Sequence, residues 1–252
     1  MSLIPRFVRL ILVGLAAAAM AAPALAGDRP IVVELFTSQG CNACPPADAF
    51  LAELQRRQAD ENLIVLGYHV DYWDYLGWKD TFGLPMATSR QKRYTKVLGL
   101  SSVYTPQMIV NGTNEQIGAD KKAVETAIQA ARESPLVGPG EVFFDRDEEG
   151  AFVRVGAATG EFKTAADVWL VLYTAWSQVA VERGENAGQK IAYANVVRDM
   201  VHLGTWKGDL TRFPIPGGTV AGGADGAVAL VQMKDQGAII GAMKFRLNNG
   251  AW

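Results

Sequence analysis

One short motif restricts the fold of this chain more than any other feature. Residues 40–46 read Gly-Cys-Asn-Ala-Cys-Pro-Pro, between an almost continuously apolar run at 31–36 and a segment with helical periodicity. The apolar run is typical of a strand that is buried on both faces of a sheet. The later segment repeats apolar residues along one helical face, at Ala47, Phe50, Leu51 and Leu54. Both cysteines are therefore expected where a buried strand passes into a helix.

This placement gives the two sulfur atoms different chemistry. Cys41 faces unpaired backbone N–H groups and the positive end of the helix dipole, and both favour a thiolate. Cys44 follows one turn later, from where it can attack a mixed disulfide formed at Cys41. Pro45 and Pro46 suit a first helical turn, where a missing N–H costs little. The motif predicts a redox-active or thiol-recognising pair.

A structural disulfide and a metal role are the alternatives. A bond that closes a four-residue loop stabilises by roughly 2 kcal/mol, against about 4.7 for a hundred-residue loop. Cys41 and Cys44 are the only cysteines, so a purely structural bond would gain more by linking distant segments. Two cysteines and two histidines are also few for a metal site. We therefore expect no metal and no diffusible cofactor, since the cysteines carry the redox equivalents.

The first 26 residues have the composition of a signal peptide. Arg6 and Arg9 precede an uncharged run at 10–22, and Ala24-Leu25-Ala26 has the form of a signal peptidase site. The run is shorter than the roughly 20 apolar residues that a membrane span needs. We expect cleavage near Ala26 and a periplasmic or secreted protein without a stable membrane anchor. Disulfides persist in such compartments.

Composition and charge restrict the remaining function classes. Hydrophobic residues make up 49% of the 252, which is enough for a packed core. The formal net charge of −2 argues against nucleic acid as a partner.

The helix predicted at 88–98 is rich in cations. We expect these side chains to form a solvated face of the helix: Arg90, Lys92, Arg93 and Lys96.

The sequence pattern changes near residue 135. Before it, strand-like and helical runs alternate in the order β-α-β-α-β-β-α, with Asn111-Gly112 as a hairpin signal and Asp120 as a helix cap. After it, glycine-rich turns separate runs that suit strands, at 141–145, 151–156, 168–174, 189–201 and 238–247. We predict an α+β chain of two domains. Its parts are a signal peptide (1–26), an α/β domain (27–134), a linker (135–140) and a mostly antiparallel, β-sandwich-like domain of unknown role (141–252).

A second segment extends the argument from the cysteines. Pro106 lies directly before a short strand, 108–110, and the hairpin that follows. Together with the C-x-x-C motif and the β-α-β order, this resembles the thioredoxin fold. The resemblance implies a cis peptide bond between Thr105 and Pro106 that packs against the redox pair and aligns a peptide substrate. It also implies that the N-terminal α/β domain is thioredoxin-like.

Several longer motifs resemble one bacterial family. They are Glu34-Leu-Phe-Thr-Ser-Gln-Gly-Cys41, Cys44-Pro-Pro-Ala-Asp48, Tyr68-His-Val-Asp-Tyr-Trp73, Tyr104-Thr-Pro-Gln107 and Gly184-Glu-Asn-Ala-Gly188. They are similar to exported bacterial thioredoxin-like proteins of the domain of unknown function 1223 family. The resemblance covers nearly the whole mature chain and implies export, but it brings no established substrate or reaction. Thioredoxins carry Gly-Pro where this chain has Asn42-Ala43, and this dipeptide helps to set the redox poise.

A carboxyl and an aromatic stretch complete the candidate site. Glu34 interrupts the apolar run, and a carboxyl buried there could accept the proton of Cys44 during exchange; the alternative is a salt-bridged or solvated carboxylate. The stretch after the second strand lies where ligands gather in open α/β sheets. Its side chains form either a platform for substrate or a cluster that covers the sheet: Tyr68, His69, Asp71, Tyr72 and Trp73. For His69, a hydrogen-bonded side chain is favoured over a metal ligand.

The predicted function is thiol–disulfide exchange by an exported protein. Cys41 attacks, Cys44 resolves the mixed disulfide, and the 105–106 peptide aligns the substrate. The expected partners are protein thiols or disulfides and a redox partner. We expect the β-rich region to lie beside the cysteines and to narrow access to them, with 184–188 as a recognition turn. The alternative is a non-enzymatic periplasmic binding module in which the Cys41–Cys44 disulfide is structural.

Overall fold

The computed structural model describes residues 29–134, 137–219 and 223–247. The predicted signal peptide and two residues of the predicted linker, Pro135 and Leu136, lie outside the described residues. The described chain is a mixed α/β structure with a large, mostly antiparallel sheet of eight strands and a second sheet of three. Among the residues described, no helix combines the length and the apolar character needed to cross a membrane.

The first half of the chain follows the predicted element order, except that a second, short helix lies between the first two strands. Its elements are β1 (Ile31–Thr37), α1 (Pro45–Arg56), α2 (Gln58–Glu61), β2 (Leu63–His69), a 3₁₀ turn (Asp74–Leu76), α3 (Pro85–Val97), β3 (Gln107–Val110), β4 (Asn114–Ile117) and α4 (Lys121–Glu133). Asn111 and Gly112 both have positive φ, as a tight hairpin turn requires. Asp120 caps α4, accepting a hydrogen bond from the Ala123 N–H at 3.0 Å. Helix α3 begins earlier than predicted because Pro85 fits its first turn.

The second half consists mainly of antiparallel strands. They are β5 (Val142–Asp147), β6 (Gly150–Val155), β7 (Ala166–Ala180), β8 (Lys190–Trp206), β9 (Thr211–Pro214), β10 (Gly226–Met233) and β11 (Ile239–Arg246). Strands β9 and β10 are absent from the sequence prediction. The first is only four residues long and ends on a proline. The second begins at a glycine and contains two alanines, which are poor strand formers.

The large sheet contains strands from both halves of the chain. Its order is β11-β10-β7-β8-β2-β1-β3-β4, and β8 runs parallel to β2 where Val196 pairs with Gly67. A side chain at Gly67 would approach the Ala194 carbonyl oxygen to 3.2 Å, so glycine permits this close contact between strands. The Asn195 amide also donates to the Val65 carbonyl oxygen at 2.7 Å. The domain boundary at 135–140 stays a prediction, and the sheet is continuous across it.

The three largest apolar clusters hold these layers together. One lies between α1, α4 and the sheet. A second lies on the opposite face under α3, and a third fills the space between the large sheet and the three-stranded sheet of β5, β6 and β9. Because both faces of β1 are covered, all seven of its residues are buried. The apolar run at 31–36 is therefore the buried central strand that the sequence predicted.

The prediction of a solvated cationic face on α3 is wrong for Arg90. Arg90 is 1% exposed, whereas Lys92 is exposed as expected. Helix α3 turns Arg90 and Tyr94 towards the sheet, where the carboxylate of Glu34 compensates the guanidinium. The sequence shows four cations on one helix, but only the fold shows that one of them has a buried partner.

Candidate functional site

The two cysteines form a disulfide between the end of β1 and the start of α1. Cys44 is the N-cap residue of α1, and prolines occupy the first helical positions. Cys41 is 4% exposed and Cys44 is fully buried, while Asn42 and Ala43 between them are exposed. Cys41 is thus the more exposed residue of the pair, in the direction that the sequence predicts, and both cysteines are buried.

A distant loop and a tryptophan lie against Cys41. The Thr105–Pro106 peptide bond is cis, and the Thr105 carbonyl oxygen is 3.8 Å from Sγ of Cys41. The indole N–H of Trp73 donates to Oγ1 of Thr105 at 2.8 Å. A side chain at position 40 would approach the backbone oxygen of Trp73 to 3.2 Å, which explains the glycine before Cys41. Four predicted site residues therefore meet: Cys41, Thr105, Pro106 and Trp73.

The predicted aromatic platform is divided between the interior and the surface. Tyr68 is fully buried and stacks on Phe36 at 5.4 Å between ring centroids. Tyr72 is half-buried and donates to Oε1 of Gln91 at 3.0 Å. Trp73 stacks on Tyr75, which lies in the same aromatic stretch and is 77% exposed. The accessible aromatic surface beside Cys41 is therefore formed by Tyr72, Trp73 and Tyr75.

The polar members of that stretch also have partners within the protein. Oδ1 of Asp71 accepts from the Thr88 hydroxyl at 2.6 Å. Nδ1 of His69 is 2.8 Å from Oδ2 of Asp80, so His69 is the hydrogen-bonded histidine that the sequence favours. Across the described ranges, no group of three or more histidine, cysteine, aspartate or glutamate side chains is arranged to hold a metal ion.

Glu34 belongs to a buried network away from this loop. Its carboxylate accepts two hydrogen bonds from Arg90, at 2.7 and 3.0 Å, and one from the Tyr94 hydroxyl at 2.5 Å. Gln232 of β10 bonds to both Arg90 and Tyr94. We call Glu34, Arg90, Tyr94 and Gln232 the paired cluster. The sequence analysis offered two roles for Glu34, proton transfer with Cys44 or a salt bridge. In the structure Glu34 is salt-bridged to Arg90.

A different buried carboxyl follows Cys44 on α1. Asp48 is 3% exposed, and its backbone N–H donates to the Cys44 carbonyl oxygen at 3.1 Å. Burial, with a smaller contribution from the charge of Asp80, raises the pKa of Asp48 to about 7 against the opposing effects of His69 and Thr37. The sequence prediction missed Asp48 because an acidic residue in a first helical turn is already explained by the helix dipole. Its i,i+4 spacing from Cys44 was the available signal.

Asp48 is part of a second polar network behind the disulfide. We call Thr37, Asp48, His69, Asp80 and Tyr193 the open cluster. Burial raises the pKa of Asp80, but His69 and the N–H groups of Gln39 and Phe82 outweigh it, so that this pKa lies below its usual value. In the described part of the chain, five buried side-chain atoms lack a hydrogen-bond partner. Four belong to this cluster: Oγ1 of Thr37, Oδ2 of Asp48, Nε2 of His69 and the Tyr193 hydroxyl.

The C-terminal half closes over the cysteine loop through Asn186. This side chain is 1% exposed and donates to the carbonyl oxygens of Gln39 and Cys41, both at 2.9 Å. Gln189 donates to Oδ1 of Asn186 at 3.0 Å, which fixes the orientation of the amide. The turn at 184–188 therefore lies beside the cysteines as expected, and Asn186 binds the loop backbone directly.

One family model and two solved structures match most of the chain. The model of a family described as "Protein of unknown function (DUF1223)" matches residues 32–232. A crystal structure of protein AGR_C_4864 from Agrobacterium tumefaciens is 33% identical, covers 86% of this chain and 93% of its own, and gives a TM-score of 0.71. HBP35 of Porphyromonas gingivalis is 17% identical, and the match covers 87% of this chain and 75% of HBP35 with a TM-score of 0.56. At this identity the similarity is one of fold alone. No curated protein matches the chain.

Proposed function

The chain belongs to the DUF1223 family, and we propose that it is an exported thiol–disulfide oxidoreductase that uses Cys41 and Cys44. One observation carries the proposal. A disulfide joins a strand end to a helix start, and Sγ of its outer cysteine is 3.8 Å from the backbone oxygen of Thr105. A substrate chain lying along residue 105 would bring its own sulfur atoms to Cys41.

We assign the first half of the chain, 27–134, to a thioredoxin-like arrangement. The strand order β2-β1-β3-β4, with β1 parallel to β2 and antiparallel to β3, supports this assignment. Helices α1 and α4 cover one face and α3 covers the other. The carboxyl end of the central strand β1 then leads to the cysteines, where ligands of open α/β sheets gather.

The exchange reaction proceeds through one mixed disulfide. The thiolate of Cys41 attacks a substrate disulfide; a bond forms between the two sulfur atoms, and the second substrate sulfur leaves as a thiolate. The thiolate of Cys44 then attacks Sγ of Cys41, which restores the Cys41–Cys44 disulfide and releases the first substrate sulfur. In reverse, the same steps oxidise a substrate dithiol and reduce the protein.

Asp48 is the proton acceptor that we assign to the second step. The Cys44 thiol is buried and must lose its proton before it attacks. Asp48 lies one helical turn from Cys44, on the same side of α1. A carboxyl with a pKa of about 7 can both accept and return a proton near neutral pH. Glu34 keeps its structural role in the paired cluster.

The substrates are protein thiols or disulfides, and a separate redox partner resets the cysteines. The half-buried Tyr72 and Trp73 and the exposed Tyr75 provide apolar contact area next to Cys41. We place the protein outside the cytoplasm because of the predicted signal peptide at 1–26. Cell fractionation tests this location. We expect the chain in the periplasm or the medium, shortened by removal of the signal peptide.

The low exposure of both cysteines favours a second candidate, a binding module with an inert disulfide. The reduction potential in glutathione buffers separates the two functions. We expect a value above roughly −270 mV, the range of catalytic pairs, whereas a value below about −300 mV is typical of structural disulfides and would favour the binding module.

Partner trapping tests the roles of the two cysteines. Cys44→Ala leaves the attacking thiol in place and should accumulate mixed disulfides in the periplasm. Cys41→Ala is the matched control and should accumulate fewer. Equal accumulation in both variants would contradict the assignment of Cys41 as the attacking residue.

A further inference from the structure

A groove lies at the end of the large sheet opposite the disulfide. Strand β1 runs from this groove towards the cysteines, so that Arg29 and Thr37 are separated by roughly 25 Å of extended chain. The groove has a volume of about 740 Å³ and is bounded by the end of α1, the start of β2 and strand β11. This volume is in the range of small-molecule sites.

The groove concentrates positive charge in a chain whose formal net charge is −2. Its lining includes four cations: Arg29, Arg56, Lys244 and Arg246. The acidic residue in the lining, Glu141, already accepts from Arg154 at 3.0 Å. Within 29–134, 137–219 and 223–247, none of these four cations forms an ion pair with a carboxylate.

Two of the cations are half-buried beside neutral partners. Arg29 donates to the Ile240 carbonyl oxygen at 3.4 Å, and Lys244 donates to Oε1 of Gln58 at 3.0 Å and lies 5.6 Å from the centre of the Tyr173 ring. Burial lowers the pKa of both, and the charge of Arg246 lowers that of Lys244 further. Burying a charge beside neutral groups is unfavourable, and a bound anion would offset that cost.

The cations of the groove set the kind of anion. The other lining residues include Leu63, Ile64, Val142 and Ala242, which are buried and expose little surface. Guanidinium groups bind carboxylate and phosphate oxygens through paired hydrogen bonds. We propose that this groove binds a small anion that carries at least two carboxylate or phosphate groups. This function is separate from the chemistry of Cys41 and Cys44.

Calorimetric titration of the full chain with citrate and with pyrophosphate tests the proposal. We expect at least one of them to bind with a Kd below about 1 mM, more weakly as salt is added. The double variant Arg56→Gln/Arg246→Gln removes two exposed charges and should weaken binding at least about tenfold. Lys92→Gln, an exposed cation on α3, is the matched control and should bind as the parent protein does.

The outcomes separate the ligand classes. Binding of citrate alone assigns a carboxylate ligand, and binding of pyrophosphate alone assigns a phosphate ligand. Failure of both to bind, or equal binding by the double variant and Lys92→Gln, overturns the proposal. If the double variant does not fold, acetylation of the parent protein replaces it, and the bound anion should protect Lys244 but not Lys92. None of these measurements involves the disulfide, so their failure leaves the proposed exchange reaction untouched.

Discussion

The paired cluster and the open cluster are both buried against the strands β1 and β2, yet their hydrogen bonding differs. In the paired cluster, both carboxylate oxygens of Glu34 are bonded to Arg90, and Gln232 connects Arg90 to Tyr94. In the open cluster, Asp48, His69, Tyr193 and Thr37 each keep one buried polar atom without a protein partner. Buried polar atoms are normally bonded, so the unpaired atoms behind the disulfide distinguish the open cluster from the paired cluster.

The difference also separates two roles of a buried carboxyl. Glu34 faces a guanidinium that compensates its charge, and this pair connects α3, β1 and β10. Asp48 faces a histidine and a second carboxyl, and its pKa is raised to about 7. In the first arrangement the charge of Glu34 has a fixed partner, and the second keeps a group that can change its protonation near neutral pH.

The largest expected effect comes from breaking the paired cluster. Arg90→Met leaves the charge of Glu34 buried without a partner, which typically costs about 3–5 kcal/mol. Urea unfolding at neutral pH measures this loss. Lys92→Met, an exposed cation on the same helix, is the control and should stay within about 0.5 kcal/mol of the parent. A loss below about 1 kcal/mol for Arg90→Met would show that the ion pair does not hold α3 in place.

The pH dependence of stability tests whether the buried Asp48 of the open cluster has a raised pKa. Because the pKa of Asp48 is raised from 3.8 to about 7 on folding, the unfolded chain ionises this group first. The free energy of unfolding should therefore fall between pH 4 and pH 7, by up to roughly 4 kcal/mol from this group. Asp48→Asn should remove this decrease, and Asp60→Asn on the exposed helix α2 should retain it. A decrease of unchanged size in Asp48→Asn would contradict the assignment.

Disulfide exchange tests whether the open cluster takes part in the reaction. Asp48→Asn removes the proton acceptor, so reduction of a mixed disulfide by Cys44 should slow by about 100-fold at pH 7. Stopped-flow measurements with a small mixed disulfide on Cys41 give this rate directly. The inflection near pH 7 in the rate profile should disappear in the same variant. A slower rate with an unchanged inflection would point to another proton acceptor.

The smallest expected effect concerns the contact between Asn186 and the cysteine loop. Asn186→Asp keeps the shape but replaces the donating amide with an oxygen that faces two carbonyl groups. The added negative charge should disfavour the Cys41 thiolate and slow its alkylation at pH 6 by about tenfold. A Cys44→Ala background isolates this thiol, and Glu185→Gln provides an exposed neighbouring control. Equal alkylation rates would limit Asn186 to a packing role.

The sequence predicts features that depend on neighbouring residues. The strand and helix around Cys41, the hairpin at Asn111 and the helix cap at Asp120 all have local signals, and all are present. The turn at 184–188 was also expected beside the cysteines. Its main contact, from Asn186 to the backbone of Cys41, links residues 145 positions apart and has no local signature.

The features that were missed depend on pairs that are distant along the chain. Arg90 looks solvent-exposed until Glu34, 56 positions away, is placed beneath it. The parallel contact between Gly67 and Val196 joins the two halves into one sheet, and neither strand indicates it. Asp48 has an ordinary local explanation, and only its burial beside His69 and Asp80 shows why its protonation is unusual.

The position of β8 in the sheet has a consequence for the synthesis of the chain. Because β8 pairs with β2, the residues that complete the sheet leave the ribosome more than 100 positions after β2 does. Until then, β2 is a free edge with unpaired N–H and C=O groups, the kind of edge that pairs with other chains. A chain that is truncated before residue 196 should therefore depend on chaperones, whereas the full chain closes this edge itself.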